Sequence, residues 1–246
     1  MITFLSDYGP GDEYVGVVEG VIARIAPDVR VIHLGHGVPP QDVRTGARRL
    51  ARSLPYVPAS VHLAVVDPGV GGARRAVAIR CGARWLVGPD NGLLEPAASA
   101  FGIDEVVDVG ASPWRLEPVS ATFHGRDIFG PVAAHLALGH RPEGPRIDGD
   151  QLLRLPPLAV GKVHVVEVDG FGNLITDAAL PPSAVRIAGH PVAVGRTFGD
   201  VEPGGLVIYE DSAGDVAVAV NGGSAAALLG VRAGDELDFG VSHGAG

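Results

Sequence analysis

From Ile2 to about Leu155 the chain alternates short β-rich runs with segments of helical period, and this alternation constrains the fold most. Ile2–Leu5, Val29–Leu34, Val61–Val66, Ala76–Arg80 and Val106–Val109 read as strands. Tyr14–Ala26 places Val15, Val18, Ile22 and Ile25 on one helical face, and Pro27 stops it. Asp42 is expected to cap a second helix that runs to Leu54, just before Pro55. Asp127 is expected to cap a third, Ile128–Leu138, which Gly139 ends. Strands that alternate with helices predict an α/β/α domain around a mostly parallel sheet.

The pattern then breaks. Leu155-Pro156-Pro157-Leu158 suits neither a helix nor a central strand. Beyond it Val163–Val168, Val185–Ile187, Val192–Val194, Leu206–Tyr209, Val216–Val220 and Glu236–Phe239 are short strands separated by Gly, Pro and Asp. Close spacing of that kind predicts a β-barrel or sandwich. Two domains are therefore expected, α/β over residues 1–157 and a smaller all-β one over 158–246.

Composition narrows the function. A net charge of -9, with no Lys/Arg cluster larger than Arg48-Arg49 and Arg52, speaks against a nucleic-acid binder. Cys81 stands alone, which excludes a disulfide framework and a cysteine zinc site. No apolar run approaches the ~20 residues of a membrane span, and Met1 leads straight into a strand-like run without a basic, apolar leader. A cytoplasmic enzyme is expected.

Four segments rich in Gly, Pro and polar groups close apolar runs of the first domain: Ser6-Asp7-Tyr8-Gly9, Gly35–Pro40, Asp67–Gly72 and Gly88–Gly92. In open parallel sheets, ligands bind beyond the carboxyl ends of the strands. One such segment is ordinarily just a turn; four on one edge make a pocket the better reading. Asp67 and Arg74 are near enough in sequence to pair across a glycine-rich turn. They are either a surface salt bridge, worth about 0–1 kcal/mol, or a carboxylate positioned for work. His124 precedes Gly125 at an expected helix start, which improves its standing as a functional histidine.

Other chemistries fail on their patterns. Gly69-Val70-Gly71-Gly72 lacks the Lys-Ser/Thr ending of a phosphate loop. His33 and His36 have no further ligands at metal spacing, and a Gly-x-Ser-x-Gly nucleophile elbow is absent. In the second domain Asp169-Gly170-Phe171-Gly172-Asn173 is either a tight turn with Phe171 in the core or an exposed aromatic with an amide two residues on, suited to a purine.

Taken together, these motifs resemble the S-adenosyl-L-methionine (SAM) hydroxide adenosyltransferase family, relatives of adenosyl fluorinases and chlorinases. The stretches that carry the resemblance occur in order along nearly the whole chain: Ser6–Gly9, Tyr14–Gly16, Val66–Gly71, Gly88–Gly92, Thr122–Asp127, Asp169 with Phe171-Gly172-Asn173, and Val220–Ala226. The resemblance implies a hydrolase of SAM, in which activated water attacks the ribose C5′ and releases adenosine and L-methionine. It makes Asp67, Arg74 and His124 the water-activating triad, with no metal or redox cofactor. It further implies that Asp7 meets the ribose diol, Asp12 and Asp169 the methionine amine, and Ser212 the methionine carboxylate. Phe171 and Asn173 would contact adenine, as would the backbone at Val220 and Gly222. Ala213, Asp215 and Ala217 depart from residues that relatives carry there.

Halogenating relatives carry a phenol near the place of Asp67 and, in fluorinases, Tyr-Ser where His124-Gly125 stands. A carboxylate at Asp67 repels a halide, so the hydrolase is the leading reading. A SAM-dependent halogenase and a catalytically weak SAM- or adenosine-binding sensor are the alternatives; the sensor is motivated by the three departures and opposed by the intact triad. The family is similar to homotrimers whose active sites lie between subunits, and this partner is expected here beside the small-molecule substrate.

Overall fold

The structure, a computed structural model, describes residues 1–181 and 183–241. It divides into two compact units, Met1–Pro156 and Pro157–Gly246.

The first unit is built on seven strands: β1 (Ile2–Ser6), β2 (Val31–Gly35), β3 (Val61–Val65), β4 (Ala76–Cys81), β5 (Arg84–Pro89), β6 (Glu105–Asp108) and β7 (Arg146–Ile147), in the order β2-β1-β3-β5-β4-β6-β7. β1, β2, β3, β5 and β6 point one way; β4 and β7 run against them. The exception at β4 has a local cause. Only Gly82 and Ala83 separate it from β5, with Gly82 at φ +59°, and a two-residue loop joins only antiparallel neighbours.

Alternation along the strands sorts the side chains onto two faces. Ile2, Phe4, Val61, Leu63 and Val65 pack under α1 (Tyr14–Ile25) and a later helix. Leu5, Ala64, Val66 and Ile79 pack under α2 (Val43–Ser53) and α3 (Glu95–Phe101). The sheet is thus covered on both sides, as the alternating pattern predicts. Asp42 caps α2 as expected, its carboxylate accepting from Thr45 N at 2.9 Å.

α3 has no counterpart in the sequence reading, and the helix expected over Ile128–Leu138 departs from it. It opens as a π-turn over Gly125–Phe129 and continues as α4 (Gly130–Ala137). Asp127 lies inside that turn and caps nothing. Its buried carboxylate instead accepts from Ser120 N at 2.8 Å and pairs with Arg126 Nε at 2.6 Å. A short acidic residue can serve a neighbouring loop as readily as a helix end, and spacing alone does not separate the two uses.

The second unit is one eight-stranded sheet: β8 (Val163–Val168), β9 (Leu174–Thr176), β10 (Val185–Ile187), β11 (His190–Val194), β12 (Leu206–Glu210), β13 (Val216–Val220), β14 (Glu236–Leu237) and β15 (Phe239–Val241). The order is β14-β8-β9-β13-β12-β11-β10-β15. The two end strands are consecutive in the chain around Asp238, so the sheet curls nearly shut as a barrel around Val165, Leu174, Ile208 and Val218. One strand run, Glu236–Phe239, is therefore two strands. β9 and the short helix α5 (Ala225–Leu229) have no separate signal in the sequence pattern.

Candidate active site

β1, β2, β3 and β5 are parallel neighbours, so their carboxyl ends share one edge. At that edge lies a cavity of about 340 Å³, bounded by Asp7, Tyr8, Gln41, Asp67, Thr122 and His124 among others. The segments after β1, β2 and β3 all reach it. The Gly88–Gly92 segment, which closes β5, does not line it and acts as a brace. Asn91 Nδ2 donates to Val66 O at 2.9 Å beside Asp67, and Asp90 pairs with Arg75 Nε at 2.8 Å.

The acidic turn and the histidine turn meet because Gly71 has no side chain. With φ +74°, a Cβ on Gly71 would stand 2.1 Å from Ala121 O. The chain can therefore fold the 67–74 turn directly onto the segment that presents His124. Arg74 joins the two. Its Nε donates to both carboxylate oxygens of Asp67 at 3.0 Å, and its Nη2 donates to Oδ2 at 2.5 Å and to His124 Nδ1 at 2.6 Å. The side chains of Arg74 and Asp67 are only 9% and 5% exposed. The surface-pair alternative is thereby set aside. Removing one member of a buried pair leaves an uncompensated charge, at a cost of about 3–5 kcal/mol.

Burial, and then the positive charge of Arg74, push the His124 imidazole below its ordinary value of 6.5, against the opposing pull of Asp67, Asp127 and the Ser120 carbonyl. Asp7 moves the other way: burial raises its carboxyl, although Gln41 N donates to Oδ2 at 2.9 Å. Asp12 is exposed and is not among the cavity's lining residues. Tyr8 and Thr122 line the cavity without any earlier assignment of a role. Both sit inside motifs that the sequence makes conspicuous, and only proximity in space gives them meaning.

In the second unit Phe171, Asn173, Val220 and Gly222 bound a cleft of about 370 Å³ together with Phe198 and Gly223. Phe171 is 83% exposed, so it belongs to the surface cleft and not to the core. Asp169 organises this loop: its Oδ1 accepts from Phe171 N at 2.8 Å and Asn173 N at 2.9 Å, and its Oδ2 from Asn173 Nδ2 at 2.8 Å. Gly172, at φ +82°, lets the loop lie against Ser224, whose Oγ would be 2.1 Å from an added Cβ. Phe198, in a single 3₁₀ turn, is the cleft residue that sequence reasoning missed; its isolation between Arg196-Thr197 and Gly199 gives no periodic signal. Ser212 lies apart from this cleft, exposed at the turn joining β12 to β13, whereas Val220 and Gly222 lie at the other end of β13.

Among the described residues, no group of three or more His, Cys, Asp or Glu is placed to hold a metal ion. No helix among them is long and apolar enough to cross a membrane.

An α/β unit with a cavity at its strand ends, followed by a barrel-like sheet with a surface cleft, defines the class of fold. SAM hydroxide adenosyltransferase N-terminal domains match residues 2–145, and the corresponding C-terminal domains match residues 163–238. This chain belongs to the SAM hydroxide adenosyltransferase family. It is 52% identical to the (R)-S-adenosyl-L-methionine hydrolase of Salinispora arenicola over 96% of each chain. It resembles the crystal structure of an uncharacterized conserved protein from Thermotoga maritima with a TM-score of 0.87 and 38% identity, covering 97% of this chain and 100% of that one. The fluorinase of Nocardia brasiliensis is more distant, at 28% identity over 95% of this chain and 94% of its own length.

Proposed function

We propose that this chain hydrolyses S-adenosyl-L-methionine to adenosine and L-methionine. Water attacks C5′ of the ribose, the C5′–S bond breaks with its electron pair going to sulfur, and the water's proton leaves to a carboxylate. The sulfonium is already a good leaving group, so the protein has mainly to orient the oxygen and relieve it of a proton. Orientation and base assistance are the two effects asked of it, the second worth about 10²–10⁴-fold.

The observation that carries this reading is the Asp67–Arg74–His124 cluster, whose hydrogen bonds support one allocation of roles. A guanidinium only donates, so His124 Nδ1 must accept from Arg74. The neutral ring then carries its proton on Nε2 and has no lone pair left for a base. Asp67 takes the proton, Arg74 fixes both partners, and His124 serves as a neutral donor. A carboxylate in this position disfavours a halide, and the fluorinase relative is the distant one.

Asp7 beside the cavity suits a ribose diol. The second unit offers Phe171 and Phe198 as apolar faces and Asn173 as an amide for adenine, next to the Val220–Gly222 backbone. Asp169 and Asp12 for the methionine amine, and Ser212 for its carboxylate, complete the assignment. No cofactor enters this chemistry. Nucleophile groups in one unit and base-binding groups in the other fit a homotrimer in which the two halves of each site come from different copies.

Incubation with SAM in ¹⁸O-water, followed by mass spectrometry of the nucleoside, tests the reaction. Adenosine labelled at the 5′ oxygen is expected. Unlabelled adenosine, or turnover only with added halide, would overturn it.

A further inference from the structure

We propose that Tyr8 is a further residue of the nucleophile site, its phenol donating a hydrogen bond to the attacking water. This inference rests on the hydrolytic reading above. Tyr8 lies two residues past the end of β1 and lines the cavity with Asp7, Asp67 and His124. Its ring is fixed by edge-on contacts to Phe4 and Phe123, with centroids 6.3 Å and 5.8 Å away, and by Tyr14 at 5.8 Å. The phenol itself has no hydrogen-bond partner among the described residues, while its backbone N–H turns back to Ser6 Oγ at 3.3 Å. The phenol oxygen is not among the buried unpaired polar atoms, so it is open to the cavity and can pair with whatever enters there.

The electrostatics select what the hydroxyl can do. Burial, and after it the negative charges of Asp7 and Asp67, drive its ionisation well above the ordinary phenol value. The group is therefore a fixed donor throughout the working range and never competes with Asp67 for the water's proton. As Asp67 withdraws that proton, negative charge grows on the attacking oxygen. A preorganised O–H aimed there stabilises the change, as oxyanion donors do.

Gly125 is the other half of the device. A Cβ on Gly125 would stand 2.0 Å from the Tyr8 oxygen but 3.1 Å from the ring carbon that bears it. The hydroxyl occupies the space where a side chain at 125 would begin, against the residue that follows His124, and Tyr8 and His124 line the same cavity. Any side chain at 125 must displace the oxygen; the ring alone needs to give only slightly.

Steady-state kinetics of Tyr8→Phe, Gly125→Ala and the double variant, with thermal unfolding as the fold control, test this. Tyr8→Phe should lower kcat about 100-fold and leave KM and adenosine affinity nearly unchanged, with wild-type unfolding behaviour. Gly125→Ala should cost a similar factor in the wild-type chain and little more in the chain that already carries Tyr8→Phe, because the atom it displaces is then gone. Three results overturn the proposal: an unchanged kcat in Tyr8→Phe, a loss borne wholly by KM, or multiplicative losses in the double variant. Failure of the wild-type chain to release adenosine from SAM defeats instead the reading on which it rests.

Discussion

The two units solve the same construction problem with opposite materials. In each, a glycine at positive φ lets two separate loops touch, Gly71 against Ala121 in the first and Gly172 against Ser224 in the second. What they assemble differs. The first brings together a carboxylate, a guanidinium and an imidazole, with the ion pair almost wholly buried. The second leaves Phe171 83% and Phe198 54% exposed around an amide held by Asp169. A buried ion pair is costly to build and strong only when fully partnered, which suits chemistry at one fixed point. Exposed aromatics carry binding energy through area and tolerate small displacements, which suits holding a base. The contrast predicts that changes in the first unit act on turnover and changes in the second on binding.

The largest effect is expected at the base. Asp67→Asn keeps the shape of the side chain but removes the proton acceptor, and should lower kcat about 10²–10⁴-fold with little change in substrate affinity. Isothermal titration with SAM beside a turnover assay separates the two quantities. Undiminished turnover would remove Asp67 from the mechanism. The mirror experiment uses Phe171→Ala with Phe198→Ala. Stacking is worth about 1–3 kcal/mol per aromatic, so KM should rise about 100-fold while kcat holds. A fall confined to kcat would erase the division of labour between the units.

The units also differ in their response to acid. Burial, with Arg84 nearby, pushes His62 down to about 4, and burial with His33 does the same to His36. Both are in the first unit. The folded unit therefore resists a proton that the unfolded chain takes up near 6.5. Stability from these groups is complete above pH 6.5, is lost as pH falls towards 4, and changes no further below that. For fully buried His62 alone, the unfolding equilibrium should shift about 30-fold by pH 5. In the second unit burial raises Asp177, but the hydrogen bonds from His164 outweigh it and leave the net shift downward from 3.8. Its contribution is present above 3.8 and is lost only in stronger acid. Hydrogen exchange at pH 7 and pH 5 should show β1–β6 losing protection while β8–β13 keep theirs. Parallel loss in both units would contradict this, and His62→Asn should reduce the loss.

Much of this is legible in the sequence. Most strands, the first two helices and the change at Pro156-Pro157 follow from periodicity and from proline's missing N–H, whereas β5, β7 and α3 have no range in the sequence reading. The facing of the acidic and histidine turns is legible only as motifs, because the contact depends on backbone approach at Gly71, 50 residues from Ala121 by sequence number. Asp127 misleads because a carboxylate can serve a helix end or a loop with equal ease. Gly88–Gly92 has the composition of a ligand loop and the job of a strut, since turn chemistry is the same for both. Tyr8 stands inside a conspicuous motif and Phe198 in none, yet the role of neither follows from its sequence neighbours.

The smallest effect probes whether the contrast between the units has to be bridged by a second copy of the chain. Asp67→Asn damages only the first unit and Asn173→Ala only the second. Assayed with SAM well below the KM of the Asn173→Ala protein, each variant should be nearly inactive alone. If every site takes its base from one copy and its adenine cleft from another, a mixed trimer contains some interfaces at which both contributions are intact. At equal mixing, with random exchange, each contribution is intact half of the time, so about a quarter of wild-type activity should return. If instead the two residues serve one site within a single chain, every site carries one lesion at any mixing ratio and nothing returns. Native mass spectrometry can verify that subunits have exchanged. Confirmed exchange with no recovered activity would overturn the shared-site trimer, while the assignments of Asp67 and Asn173 would still stand on their own kinetics.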